Sequence, residues 1–173
     1  AGGAIGAAME VWQRSSGGRR LFRMDHAYWG PEYPAARIAE LLSSRAAQLA
    51  EQGCEWRLEA DEGVLLEETA AALDRGEVVG WFQGRMEWGP RALGNRSILG
   101  DPRRADMKDI LNLKIKRRES FRPFAPSVLR ESVSEWFETD DDVPFMLQVY
   151  RIRPDKRPLV PAVTHVNGTG RLQ

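Results

Sequence analysis

The chain has 173 residues, 42% hydrophobic and 29% charged, and its 25 basic side chains balance 25 acidic ones. That length allows one domain, or one domain and a piece of another, at about 100–150 residues per typical domain; a core of that size needs neither a disulfide nor a structural metal. Six Trp, six Phe and a mixed composition exclude disordered, collagen-like and coiled-coil chains, and no run of about 18 apolar residues offers a membrane-spanning helix.

Along the chain, Ala4, Ile5, Ala8, Met9 and Trp12 recur at helical spacing and predict a packed helix over 3–12. Residues 13–33, with Ser15-Ser16-Gly17-Gly18 and Trp29-Gly30-Pro31, read as a loop or linker. Pro34 opens a helix with the stripe Ile38, Leu41, Leu42 and Leu49, ending near Gly53. A second helix runs from Asp61 to Asp74 and stops at Gly76; Val78 to Phe82 is a short buried strand. Residues 84–100 form a glycine-rich loop with a strand at Ser97-Ile98-Leu99. Asp101-Pro102 reads as an N-cap and first turn, leading a helix that buries Met107, Ile110, Leu111 and Ile115. Pro123 and Pro126 keep residues 121–126 extended or turning. Residues 128–137 are expected to be helical, 145–152 a strand and 154–161 a loop. Helices alternating with strands predict an α/β or α+β layered fold.

Both ends read as internal to a longer chain: the opening Ala1-Gly2-Gly3-Ala4-Ile5-Gly6 has no initiator Met and no signal-peptide layout, and Arg171-Leu172-Gln173 stops without a polar tail. Cys54 is the only cysteine, in keeping with a reducing cytoplasm, where the protein is expected to reside. It and two histidines 139 positions apart make no metal-ligand spacing, and no nucleophile elbow is present.

Charge is uneven despite its zero sum. Residues 51–77 carry nine acids and two bases, 84–130 twelve bases and five acids, and 131–142 six acids and no base. A basic block between acidic ones points to an anion site rather than a nucleic-acid-binding tail. Of the 25 bases 21 are Arg, whose planar fork of donors suits phosphate and carboxylate.

Three segments of that kind stand out. The loop Gly84 to Ser97 combines glycines, which let backbone N–H groups approach an anion, with Arg85, Arg91 and Arg96; a tight surface turn with solvated arginines fits equally well. Lys108, Asn112 and Lys116 recur every four residues on one helix face, and the chain then leaves through Arg117-Arg118-Glu119-Ser120-Phe121-Arg122-Pro123, placing Lys116 and Arg122 within reach of one another. For Arg117 and Arg118 the simpler role is to complement the helix dipole. His165, in Thr164-His165-Val166-Asn167-Gly168, is either an acid/base group or a structural histidine. Together these residues predict an Arg/Lys-rich site for a phosphorylated small molecule.

The same segments resemble the O-carbamoyltransferase family of nodulation-factor and antibiotic carbamoyltransferases. The resemblance lies in Gly84 to Ser97, Asp101-Pro102-Arg103, Lys116-x-Arg118-Glu119-x-Phe121-Arg122-Pro123-Phe124-Ala125-Pro126-Ser127, Pro144-Phe145-Met146 and Pro161 to Gln173. Asn167 and Gly170 stand where the family usually shows Asp and Ala. It implies that residues 1–33 are the end and linker of an N-terminal actin-like domain. Residues 34–173 are then a YrdC-like domain, a twisted mixed sheet with flanking helices, truncated at its C-terminus. It also implies the chemistry: carbamoyl phosphate and ATP, with Mg, give carbamoyl-adenylate, from which the carbamoyl group passes to a hydroxyl of a sugar or natural-product acceptor.

The family's carbamoyl phosphate site matches Arg91, Lys116, Arg122 and Arg171 here. Lys116, Arg122 and His165 are the catalytic candidates, and Gly2, Gly3 and Gly6 match the last nucleotide-binding helix of the N-terminal domain. The family's metal ligands lie upstream of residue 1, so no metal site is expected in this chain, nor full turnover by it alone; a homodimer fits. Two other readings stand beside this one: a nucleotide- or RNA-binding module of the tRNA-modification type, against which the balanced charge argues, and an inactive fragment whose exposed sheet edges favour association.

Overall fold

A computed structural model describes residues 2–173. The described residues form six α-helices: α1 (Gly2–Ser15), α2 (Ala35–Ser44), α3 (Ala46–Glu51), α4 (Glu62–Asp74), α5 (Met107–Asp109) and α6 (Val133–Trp136). Four short strands, β1 (Val79–Phe82), β2 (Arg96–Leu99), β3 (Val149–Arg151) and β4 (Thr169–Arg171), form two separate antiparallel pairs, β1 with β2 and β3 with β4. Helix and strand mix as the sequence predicts. Among the described residues no helix is long and apolar enough to cross a membrane.

Local chemistry explains where the elements start and stop. Asp61 accepts hydrogen bonds from the amides of Gly63 (2.8 Å) and Val64 (3.2 Å), so α4 begins where the sequence indicates. The expected helix from Pro34 to Gly53 breaks at Arg45; there the Ser44 hydroxyl turns back onto the Leu41 carbonyl at 2.8 Å, competing with helix continuation. Asp101 is not a helix N-cap. It is buried, and both its oxygens are taken by the backbone and guanidinium of Arg103, so the helix starts only at Met107.

The largest departure follows α5. Residues Ile110–Ile115 form a π-helical turn, closed by the Lys116 amide on the Leu111 carbonyl at 2.8 Å, five residues back. The extra residue per turn changes which side chains face inward. Met107 and Leu111 are buried as expected, but Ile115 is 45% exposed and Asn112 is completely buried, so Lys108, Asn112 and Lys116 do not share one face. Further on, the expected helix over 128–137 is a 3-10 turn (Arg130–Ser132) followed by α6, and the expected strand over 145–152 is confined to β3, because Met146 adopts a left-handed turn conformation.

Phe137, Ile152 and Leu172 are the centre of the main core, with Val133, Val160 and Val163 around them. β4 was not evident in the sequence, yet it supplies that core by alternation: Gly170 and Leu172 face inward, leaving Arg171 between them on the opposite side. A Cβ at position 170 would lie 3.0 Å from Ile152 and 3.2 Å from Phe137, so any larger residue there would have to displace those core side chains.

The loop joining β1 to β2 is folded around Glu87, whose side chain is wholly buried. Its carboxylate accepts from the amides of Leu93 (2.5 Å) and Asn95 (2.8 Å) and from Nε of Arg96 (3.0 Å), while Arg96 also reaches the Gly89 carbonyl at 2.7 Å. The turn passes through Gly94 at φ +116°, which only glycine adopts without strain. Burial pushes the Glu87 carboxyl up, but these amide and guanidinium hydrogen bonds outweigh it and hold the group below the usual glutamate range.

Two outcomes follow from this architecture. Phe137→Ala should lower the unfolding free energy by about 3–5 kcal/mol in urea titrations, whereas Ile115→Ser should change it by no more than about 0.5 kcal/mol; a large loss in the second variant would restore α-helical packing for Ile115. Because Glu87 is depressed in the folded state, its contribution is complete above the ordinary glutamate value of about 4.3 and disappears as pH falls through the lower folded value. Glu87→Gln should therefore be less stable than wild type by about 2–3 kcal/mol at pH 7 and show a shallower decline on acidification, measured by urea midpoints from neutral to acid pH.

Candidate functional site

Three arginines from three segments act on one another near the end of β4, the charges of Arg91 and Arg118 bearing on Arg171. Arg91 is carried by the Glu87-centred loop, Arg118 follows the π-helical turn, and Arg171 is the last residue of β4. Packing explains why the segments meet. Leu93, two residues beyond Arg91, is buried in a small cluster with Ala27 and Met146, against which Ala125 packs. Phe124 touches both the main core and the Met107–Leu111 cluster. The Val128 amide donates to the Gln173 carbonyl at 3.0 Å and the Gln173 amide to the Pro126 carbonyl at 3.1 Å, which seats residues 124–128 beside the end of β4.

The electrostatics of this cluster are unusual. Arg171 has its proton affinity lowered first by burial and then by the positive charges of Arg91 and Arg118. Its Nε is shielded from solvent and has no hydrogen-bond acceptor among the described residues. Arg118 is lowered by burial and by the charge of Arg122, with Glu119 acting in the opposite direction. None of Arg91, Arg118 and Arg171 forms an ion pair with a carboxylate among the described residues. Like charges gathered without a counter-charge repel, and a bound anion relieves that repulsion while filling the open donors.

Arg118 is therefore more than a complement to the helix dipole, the simpler role its position in the sequence suggests. Its Nε donates to Asn112 Oδ1 at 2.6 Å, and its guanidinium lies 4.8 Å from the Phe124 ring centroid. Four-residue spacing puts Asn112 on one helix face with Lys108 and Lys116; its burial depends on the π-helical turn, which leaves no distinct mark in an apolar pattern. Arg117 is exposed and sits at φ +48°.

Lys116 is exposed, and its side chain makes no hydrogen bond or ion pair among the described residues. Arg122 is half exposed, pairs with Glu119 at 2.8 Å, and its charge bears on Arg118. His165 lies on an exposed turn, its Nδ1 3.3 Å from Asn167 Oδ1, beside a cleft of about 230 Å³ that Lys108, Phe121 and Pro123 also line. Gly2, Gly3 and Gly6 lie exposed on α1, with open space where a Cβ would stand. Among the described residues no three His, Cys, Asp or Glu side chains gather as a metal-binding group, and the arginine cluster offers only cationic donors, which do not fit a bound cation.

Comparison with known proteins gives the family. The chain is 44% identical over 177 residues to nodulation protein NolO of Bradyrhizobium diazoefficiens, covering 100% of this chain and 31% of the relative. It is 44% identical over 176 residues to nodulation protein NolNO of Sinorhizobium fredii, covering 100% of this chain and 25% of that protein. Over 107 residues it is 46% identical to 3'-hydroxymethylcephem-O-carbamoyltransferase of Amycolatopsis lactamdurans, which covers 62% of this chain and 20% of the relative. The chain thus spans about a third or less of the curated relatives it matches. The family model described as carbamoyltransferase C-terminus matches residues 70–173, a stretch that includes Arg91, Arg118 and Arg171, and on that match the chain belongs to the carbamoyltransferase family.

Proposed function

We propose that this chain carries the carbamoyl phosphate site of an ATP-dependent O-carbamoyltransferase, with Arg91, Arg118 and Arg171 as its phosphate cradle. The observation that carries the reading is the buried Nε of Arg171, a charged donor without a protein acceptor, beside two further guanidiniums. A fixed anion with several acceptor oxygens answers the charge of all three guanidiniums at once, meeting Arg171 at its terminal nitrogens. The name of the cephem relative supplies the reaction class, transfer of a carbamoyl group to oxygen.

In this reading the cradle works by charge and position. The guanidiniums hold the phosphoryl oxygens, fix where the carbamoyl carbon lies, and stabilise the negative charge that grows on phosphate oxygen as the bond to the carbamoyl group weakens. Because the donors are held in place by β4, the Glu87 loop and Asn112, little reorganisation accompanies that step. Arg122 adds a further cation, its charge bearing on Arg118; Lys116 and His165 remain candidates from the family resemblance alone. In the chemistry that the family resemblance implies, water cleaves carbamoyl phosphate to carbamate and phosphate, and the carbamate oxygen displaces pyrophosphate from the α-phosphorus of ATP. The acceptor hydroxyl then attacks the carbamoyl carbon, AMP leaving and the hydroxyl proton passing to solvent. Magnesium has no protein ligand set at the cradle, and no step here is assigned to it.

Trp88 lies three residues before Arg91, is 47% exposed, and its amide is tied to the Ala27 carbonyl at 2.6 Å, so its fluorescence reports on the loop. Titration with carbamoyl phosphate should give a saturable change, stronger than with inorganic phosphate, and Arg171→Ala should weaken binding by about tenfold or more. Unchanged affinity in Arg171→Ala, in a variant that retains its fold, would place the anion elsewhere. A second check is thermal: an anion that binds only the folded chain raises the melting temperature in a concentration-dependent way.

A further inference from the structure

We infer that Asn112 is a positioning residue that aims Arg118 into the phosphate cradle while leaving its charge available to the ligand. The inference rests on the cradle reading above and extends it to a side chain that does not touch the anion.

The hydrogen bonds define how the amide is oriented. A guanidinium only donates and a carbonyl only accepts, so the Asn112 oxygen must face Arg118 and its nitrogen the two carbonyls. Accordingly Oδ1 accepts from Arg118 Nε at 2.6 Å, and Nδ2 donates to the Ser120 carbonyl at 3.2 Å and the Arg122 carbonyl at 2.9 Å. The Arg118 amide returns to the Asn112 carbonyl at 2.9 Å, so backbone and side chain close on the same residue. Phe124 covers one side of the guanidinium, 4.8 Å from its ring centroid. With Nε engaged, the two terminal nitrogens of Arg118 make no hydrogen bond among the described residues.

A neutral partner matters here. An aspartate in this place would hold Arg118 as firmly, yet it would cancel the positive charge and set a carboxylate against two carbonyl oxygens. Asparagine holds the guanidinium and keeps it cationic. The π-helical turn makes this possible by carrying position 112 to 0% exposure, whereas regular helical spacing would put it on the outer face with Lys108 and Lys116.

The test uses the chain labelled with ¹⁵N-arginine, inorganic phosphate as the anion, and the variants Asn112→Ala, Asn112→Asp, Arg118→Ala and the Asn112→Ala/Arg118→Ala double. In wild type the Arg118 Nε–H resonance should exchange slowly with solvent; in Asn112→Ala that protection should be lost and phosphate affinity should fall about tenfold. The double variant should bind no more weakly than Arg118→Ala alone, since Asn112 acts through Arg118. Asn112→Asp, nearly identical in size, should keep the Nε–H protected yet bind phosphate more weakly; this arm stands even if the alanine variant does not fold. Wild-type affinity in either Asn112 variant, or additive losses in the double, overturns the positioning role. A protected Nε–H in a wild-type chain that binds no phosphate overturns the cradle itself, and the inference with it.

Discussion

Carboxylates are allotted so that Arg91, Arg118 and Arg171, the three guanidiniums of the proposed cradle, have no ion pair among the described residues. Residues 84–130 contain five acids, and four already have a cationic partner: Glu87 with Arg96, Asp101 with Arg103, Asp106 with Arg104 and Glu119 with Arg122. Arg85 pairs with Glu32, and Arg130 with Asp140 and Asp142. The acidic flanks thus neutralise the rim of the basic block rather than its centre. The arginines that remain are held by neutral contacts instead: Arg118 by an amide and an aromatic ring, Arg171 by the strand whose neighbouring residues are locked in the core. A cluster of this kind is an electrostatic strain in the folded chain, and an anion is the natural way to discharge it.

Elements marked by local chemistry were legible in the sequence. The helix expected from Asp61 to Asp74 is α4, and the apolar run before Gly84 is β1, although that strand alternates half-buried and exposed residues where a buried one was expected. The basic loop and the cationic exit from the π-helical turn were also visible as candidates, from charge clustering and glycine content alone. What escaped the sequence depends on contacts between distant segments. The π-helical turn has the same apolar residues as an ordinary helix, and only packing decides that Ile115 turns out and Asn112 turns in. β4 is three residues long and contains a glycine, so it has little strand propensity of its own; it exists because Gly170 fits against Ile152 and Phe137. Asp101 looked like a cap because Pro follows it, but Arg103 reaches back and takes both oxygens.

The same distinction applies to the site. Arg91 and Arg171 were both chosen from the family resemblance, and the fold brings their charges together. Arg118 was passed over because two adjacent arginines at the end of a helix have an adequate explanation in the helix dipole. The available signal was the aromatic residue six positions on, Phe124, which gives a buried guanidinium a face to rest against. Arg117 and Arg118 differ in burial although they are neighbours, and no composition argument separates them.

The account stands on one claim, that Arg91, Arg118 and Arg171 hold a single anion. Its most direct test is a crystal structure of the chain grown or soaked with carbamoyl phosphate or phosphate. Tetrahedral density within hydrogen-bonding distance of the terminal nitrogens of Arg171, shared with Arg91 and Arg118, is the expected result. Density found only against Lys116 and Arg122, with the terminal nitrogens of Arg171 bonded to protein or water instead, would contradict it.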